Sequence, residues 1–232
     1  MIEISKKIIE RLKSKNLPFH SNSNISEVLE EGDKELLIKE VTHKFDAVLR
    51  ALIIDVDNDP NAKGTAKRLA KMYINEIMGG RYEEEPEAVF FPNKHTGKDT
   101  GFTGMLVVRT EIKSLCSHHH QPVTGIAYIG ILPSENVIGL SKYSRIAHHL
   151  ARRGTLQEEL AEDIANAIIT KTGTENVAVY IEAQHGCVTN RGIEAHDSTT
   201  QTTVLRGIFM SDGVVRKEFY DNIQFQTIRH PQ

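Results

Sequence analysis

The 232-residue chain carries 28 Lys and Arg against 31 Asp and Glu, a formal net charge of −3, with 39% hydrophobic and 25% charged residues. These proportions suit one soluble domain with an ordinary core, and the charge gives no global attraction to nucleic acid or to an anionic membrane. No apolar run approaches a membrane span and the first residues lack a signal-peptide core, so a cytoplasmic protein with reduced thiols is expected.

Ile4, Ile8 and Leu12 recur at i, i+4, i+8 and predict an amphipathic helix over residues 2–15. Residues 17–33 are polar and read as a loop. Leu37, Val41, Phe45, Val48 and Leu52 predict a long helix over 34–54. Asp55-Val56-Asp57-Asn58-Asp59 resembles a calcium loop only briefly: Pro60 stands at the sixth position and no closing glutamate follows. Leu69, Met72, Tyr73 and Ile77 predict a helix over 65–78, stopped by Gly79-Gly80. Residues 81–104 read as an irregular connection.

The pattern then turns to strands. They are expected at 105–115, 123–132 and 137–140. Ile146, His149 and Leu150 mark a helix ending near Gly154. Leu156, Leu160, Ile164, Ala167 and Ile168 mark another from Thr155 to about Lys171. Strands follow at 176–183 and 199–210, then a short closing helix. The order is an N-terminal helical region followed by an α+β domain with an antiparallel sheet. The divisions read from it are 1–33 as helix and polar loop, 34–104 as helices and connection, and 105–232 as the sheet-bearing region, with 34–232 one folded unit.

The stretch Ser114-Leu115-Cys116-Ser117-His118-His119-His120-Gln121-Pro122-Val123 is the chemical centre of the chain. Cys116 and His119 stand in C-x-x-H spacing, so one short loop can offer a thiolate and an imidazole to one metal ion. Cys187, the only other cysteine, follows His185 by two residues. Three protein ligands leave one tetrahedral position open, the mark of a catalytic zinc. The alternatives are a disulfide, inert buried thiols and a surface histidine run. A nucleobase deaminase is excluded by the lack of H-x-E and P-C-x-x-C.

Five separated motifs resemble GTP cyclohydrolase I: Lys67-Arg68-Leu69-Ala70-Lys71-Met72-Tyr73, Ser114-Leu115-Cys116-x-His118-His119, Gly139-Leu140-Ser141-Lys142-x-x-Arg145-Ile146, Gln157-Glu158, and His185-x-Cys187-x-x-x-Arg191-Gly192. They span roughly residues 35–228. The resemblance implies the tunnelling fold (T-fold), an antiparallel ββααββ sheet with helices on one face. It implies a homo-oligomer, a decamer of two pentamers with active sites between subunits; open sheet edges also call for partners. It implies hydrolysis of GTP to dihydroneopterin triphosphate and formate, with zinc (Zn2+) on Cys116, His119 and Cys187. His118 and His185 match the catalytic histidines, and Ser141 a residue near ribose and phosphates. Glu158 matches the reader of guanine, with Gln157 beside it; from the pattern alone Thr155-Leu156-Gln157-Glu158 is a capping box. Lys142, Arg145, Arg191 and Arg68 match phosphate-binding positions. The chain departs from the family in Ser117, where glutamate is usual, in Val123 after Pro122, in His120 and Gln121, and in Val188-Thr189-Asn190. A GTP-binding homologue with an altered product, or with no turnover, is the alternative expectation.

Overall fold

The computed structural model describes residues 3–95 and 100–229. The chain divides into two compact units, one of Met1–Glu84 with Arg152–Gly154, the other of Glu85–Ala151 with Thr155–Gln232.

The first unit is helical. Helices α1 (Ile4–Ser14), α2 (Asp33–Ala51) and α3 (Thr65–Lys71) form where the apolar spacing predicts helix. Ile4, Ile8 and Leu12 are buried against Ile25, Val28, Leu37 and Ile74. Gly32, at φ 85°, takes the left-handed conformation that starts α2 and that a Cβ would strain. Arg11 donates to the Val28 carbonyl (2.9 Å) and pairs with Asp33, which is buried. The acidic run after α2 is spent internally: Asp55 Oδ1 accepts from the Asn58 amide (3.0 Å), and Asp57 pairs with Arg50 at 2.7 Å.

The 65–78 helix differs from its expectation. It leaves α-geometry after Lys71 and continues as a π-helical turn over Met72–Ile77, then a 3-10 turn over Gly79–Arg81. Arg152 accounts for where it ends. Its guanidinium takes the carbonyls of Asn75 and Glu76, each at 2.6 Å, which a continuing helix needs for its own amides. That guanidinium also lies 2.2 Å from where a Cβ on Gly79 would stand, so a side chain there would have to displace it.

The second unit holds an antiparallel sheet of β2 (Leu106–Leu115), β3 (Pro122–Ile131), β5 (Val177–His185) and β6 (Thr200–Leu205), in that order. Alternation sorts its two faces. Val123, Ala127, Ile129, Val179 and Ile181 pack against α4 (Leu140–Ala151) and α5 (Gln157–Thr172) through Ile146, Leu150, Leu160 and Ile164. This is the α+β tunnelling-fold arrangement, with N-terminal helices before it. Ile126, Tyr128 and Ala178 face the other way and are covered by Phe209 of α7 (Ile208–Ser211) and by Phe219 and Ile223 of α8 (Gly213–Arg229). A Cβ on Gly130 would fall 2.7 Å from the Phe219 ring, so that glycine admits the helix.

Four local expectations are corrected. The 81–104 connection, of which residues 96–99 lie outside the described set, contains β1 (Phe90–Pro92), paired with β4 (Asn136–Ile138). The 199–210 strand stops at Leu205, because Gly207 turns at φ 55° with Asn176 Oδ1 2.3 Å from its Cβ position. The closing helix is 17 residues long, not short. The capping box is absent: Leu156 is the N-cap of α5, and no side chain caps it. Among the described residues no helix is long and apolar enough to cross a membrane.

Candidate active site

Five elements of the second unit converge at one end of the sheet. Strand β2 delivers Cys116, whose backbone bridges Thr155, and the Thr155 amide donates to the Leu115 carbonyl (3.1 Å). This contact draws the start of α5 to the end of β2. The segment 116–121 closes as a tight turn: the Cys116 amide donates to the Gln121 carbonyl and the His120 amide to the Cys116 carbonyl, both 2.9 Å. His120 takes φ +51°, an uncommon conformation for a residue with a Cβ. His118, His119 and His120 are exposed on this turn, the first two with rings 6.4 Å apart and nearly perpendicular.

The chain re-enters as β3, where Val123 pairs with His185 at the end of β5. The one-turn helix α6 (Gly186–Thr189) follows and carries Cys187. Its first residue, Gly186, lies so close to the start of β3 that a Cβ would be 3.0 Å from Pro122 Cδ. Cys187 thereby comes beside Cys116, and neither forms a disulfide. Burial pushes the Cys187 thiol up, the neighbouring Cys116 sulfur adds to this, and Arg191 opposes it more weakly.

His185 is half-buried. Its Nε2 lies 2.7 Å from Gln157 Oε1. Burial lowers its pKa, and the Glu158 carboxylate partly offsets this. Gln157 itself is only 3% exposed. Its amide nitrogen donates to Thr200 O (3.0 Å), Thr202 Oγ1 (3.0 Å) and Ile181 O (3.3 Å). Glu158, one position on, is exposed in the first turn of α5. Thr155 does not hold it: the Thr155 hydroxyl donates to the Leu156 carbonyl (3.1 Å) and lies 3.5 Å from Glu159. Thr200 and Thr202 were not anticipated from the sequence; they lie more than forty residues from Gln157, and only strand pairing brings them to it.

Of the remaining predicted residues, Arg191 lies near Cys187 and the others stand further off. Ser141 is exposed, Lys142 half-buried and Arg145 exposed, all on the first half of α4. The end of α4 is tied to the Cys116 end of β2, since Ser114 Oγ donates to the Ala151 carbonyl (2.7 Å). One turn earlier, Thr110 Oγ1 meets His148 Nε2 at 2.9 Å, so helix and strand run in the same direction. Ser141 therefore sits about 15 Å back along the helix axis from that end, at a rise of roughly 1.5 Å per residue. Arg191 is exposed in the loop after α6. Arg68 belongs to the first unit, exposed on α3, with its guanidinium on Thr65 Oγ1 (2.7 Å) and Lys63 O (3.2 Å).

The donor chemistry fits zinc in part. Two adjacent thiols, one half-buried and held protonated by burial and by the other, form a soft pair that a cation would ionise. His119 is three residues from Cys116 on the same turn. Among the described residues, however, no three of His, Cys, Asp and Glu are gathered in metal-binding geometry.

A four-stranded antiparallel sheet backed by two helices, with two thiols and a histidine at one end, is a tunnelling-fold domain with a candidate catalytic centre. Residues 41–224 match the family model described as GTP cyclohydrolase I. The GTP cyclohydrolase 1 of Shewanella loihica is 38% identical over 186 residues, covering 79% of this chain and 84% of the relative. That of Yersinia enterocolitica is 37% identical over 203 residues, 87% of each chain, and that of Flavobacterium johnsoniae 35% over 214 residues, 90% and 93%. The chain belongs to the GTP cyclohydrolase I family and is a hydrolase of that class.

Proposed function

We propose that this chain hydrolyses GTP to dihydroneopterin triphosphate and formate, using a zinc ion on Cys116, His119 and Cys187. The observation that carries the reading is the convergence of Cys116, Cys187, His185 and Glu158 from four elements at one end of the sheet. Zinc bound there would supply Lewis acidity and an activated water for opening the purine imidazole ring. His119 completes the ligand set by side-chain rotation on its exposed turn.

The remaining work falls to the chain's own residues. The Glu158 carboxylate accepts from N1–H and the 2-amino group of guanine together, a donor pair adenine lacks, so adenine would leave the charge unpaired. His185 and His118 move protons at the ring nitrogens and at water, a task suited to imidazole near neutral pH. Lys142, Arg145, Arg191 and Arg68 receive the triphosphate, with Arg giving paired contacts and Lys a point charge. Ser141 contacts the ribose–phosphate end. Ser141, Lys142 and Arg145 stand about 15, 14 and 9 Å back along α4 from the Cys116 end, and this reading assigns them to the site of a neighbouring copy. A decamer of two pentamers, with Arg68 contributed by another copy, is the assembly that the family resemblance implies for this reading.

Incubation of the zinc-loaded protein with GTP tests the proposal. Formate and the fluorescent pterin should form in equal amounts. GTP and zinc bound with neither product would select the non-catalytic alternative.

A further inference from the structure

We infer that Gln157 is a positioning residue that fixes the His185 ring as the tautomer protonated on Nε2, leaving Nδ1 as its lone-pair nitrogen. The inference rests on the proposed function only in giving His185 a proton-transfer task; the tautomer itself is argued from geometry.

The orientation of the Gln157 amide is settled by its neighbours. One end lies 3.0 Å from the Thr200 carbonyl and 3.3 Å from the Ile181 carbonyl. Carbonyl oxygens only accept, so this end is the NH2 group. Reversing the amide would set its oxygen against two carbonyl oxygens in a nearly water-free site. The Thr202 hydroxyl, 3.0 Å away, accepts as well. The opposite end is therefore Oε1, and it faces His185 Nε2 at 2.7 Å. An amide oxygen has no proton to give. The proton in this bond comes from Nε2, and in the neutral ring the acceptor nitrogen is Nδ1.

The anchor is rigid. Ile181 and Thr202 are paired residues of β5 and β6, and Thr200 pairs with Ala183 two positions along. The sheet thus fixes Gln157, and Gln157 fixes the ring. Both ends of the amide are spent within the chain, so Gln157 does not read the guanine base, contrary to its expected role as a substrate contact. Specificity at the base falls to Glu158, which is exposed and one residue away.

The test begins without GTP. The zinc-loaded protein is labelled with 15N-histidine and studied by magic-angle-spinning NMR, with the His185 signals assigned by their loss in His185→Gln. The wild-type ring should show a protonated Nε2 and a bare Nδ1. A protonated Nδ1 with a bare Nε2 overturns the inference. Gln157→Leu should give a mixture of tautomers; a single unchanged tautomer in that variant also overturns it. If Gln157→Leu does not fold, the wild-type spectrum decides alone. Kinetics separate positioning from substrate contact: Gln157→Leu should lower kcat by roughly tenfold or more with KM for GTP unchanged. A raised KM with kcat intact would make Gln157 a substrate contact and overturn the inference. The expected tautomer in a protein that does not hydrolyse GTP would refute the proposed function and leave this inference standing.

Discussion

Cys187 and Glu158 make different demands on their surroundings, and their loss should be felt differently. Cys187 is half-buried beside Cys116, where burial keeps its thiol protonated until a cation compensates. Cys187→Ala leaves one thiolate and one imidazole, too few ligands for a catalytic zinc. Bound zinc and turnover should both vanish while the thermal transition of the zinc-free protein stays near that of zinc-free wild type. Atomic absorption with a formate assay checks this; full turnover in a metal-free variant would refute the site. Glu158 is exposed in the first turn of α5 and does not cap it. Glu158→Ala should leave stability unchanged and reduce kcat/KM for GTP on the order of 10–100-fold, the loss of hydrogen bonds to a charged acceptor. Its preference for GTP over ATP should narrow by a similar factor. Steady-state assays with both nucleotides decide, and unchanged values would leave Glu158 a surface residue.

Among the elements, α1 and α2 are joined by a buried ion pair whose pH dependence has a definite sign. Burial alone would raise the Asp33 pKa, but the Arg11 hydrogen bond and the Glu30 amide outweigh it, and the carboxyl lies below its ordinary 3.8. A lowered carboxyl stabilises the fold fully above the unfolded value. That contribution is lost as pH falls from 3.8 through the lower folded value. Asp33→Asn should therefore cost about 2 kcal/mol at neutral pH, and the difference from wild type should shrink in acid. Denaturant melts followed through the helical signal at pH 7 and pH 3 test this; a difference independent of pH would assign the effect to shape alone. The elements also show what could be read in advance. The main sheet strands, α1, α2 and α4 follow from period, and the proposed pair Cys116 and His119 from spacing, because both signals are local. The start of α5 was misplaced because Thr155 spends its backbone on Leu115 and Cys116, forty residues away. Strand β1 escaped notice because three exposed residues, Phe90–Pro92, carry no alternation and exist by pairing with β4. The end of this helix near Gly79 depends on Arg152, remote in sequence and adjacent only once folded.

For the whole molecule, the residues proposed for one reaction, Arg68 apart, are spread along the second unit. Cys116, Cys187, His185 and Glu158 gather at one end of the sheet, while Ser141, Lys142 and Arg145 lie about 15, 14 and 9 Å back along α4. Strand β2 and α4 run in the same direction, pinned by Ser114 to Ala151 and Thr110 to His148, which fixes that spacing. The edge strands β2 and β6 also carry unpaired backbone groups on their outer sides, which a neighbouring sheet can satisfy. If another copy supplies the phosphate-binding cations, two dead variants should rescue one another. Lys142→Ala/Arg145→Ala keeps the zinc end and loses the triphosphate contacts; Cys187→Ala does the reverse. Each should be nearly inactive alone. Mixed, unfolded and refolded together, they should form hybrid oligomers in which some sites join an intact zinc end to an intact α4. Activity should then rise well above the sum of the separate proteins, and should not rise when the two are mixed only after refolding, provided subunits do not exchange. Failure of rescue, with hybrid oligomers confirmed by native mass spectrometry, would place the triphosphate on cations of the same chain as the zinc.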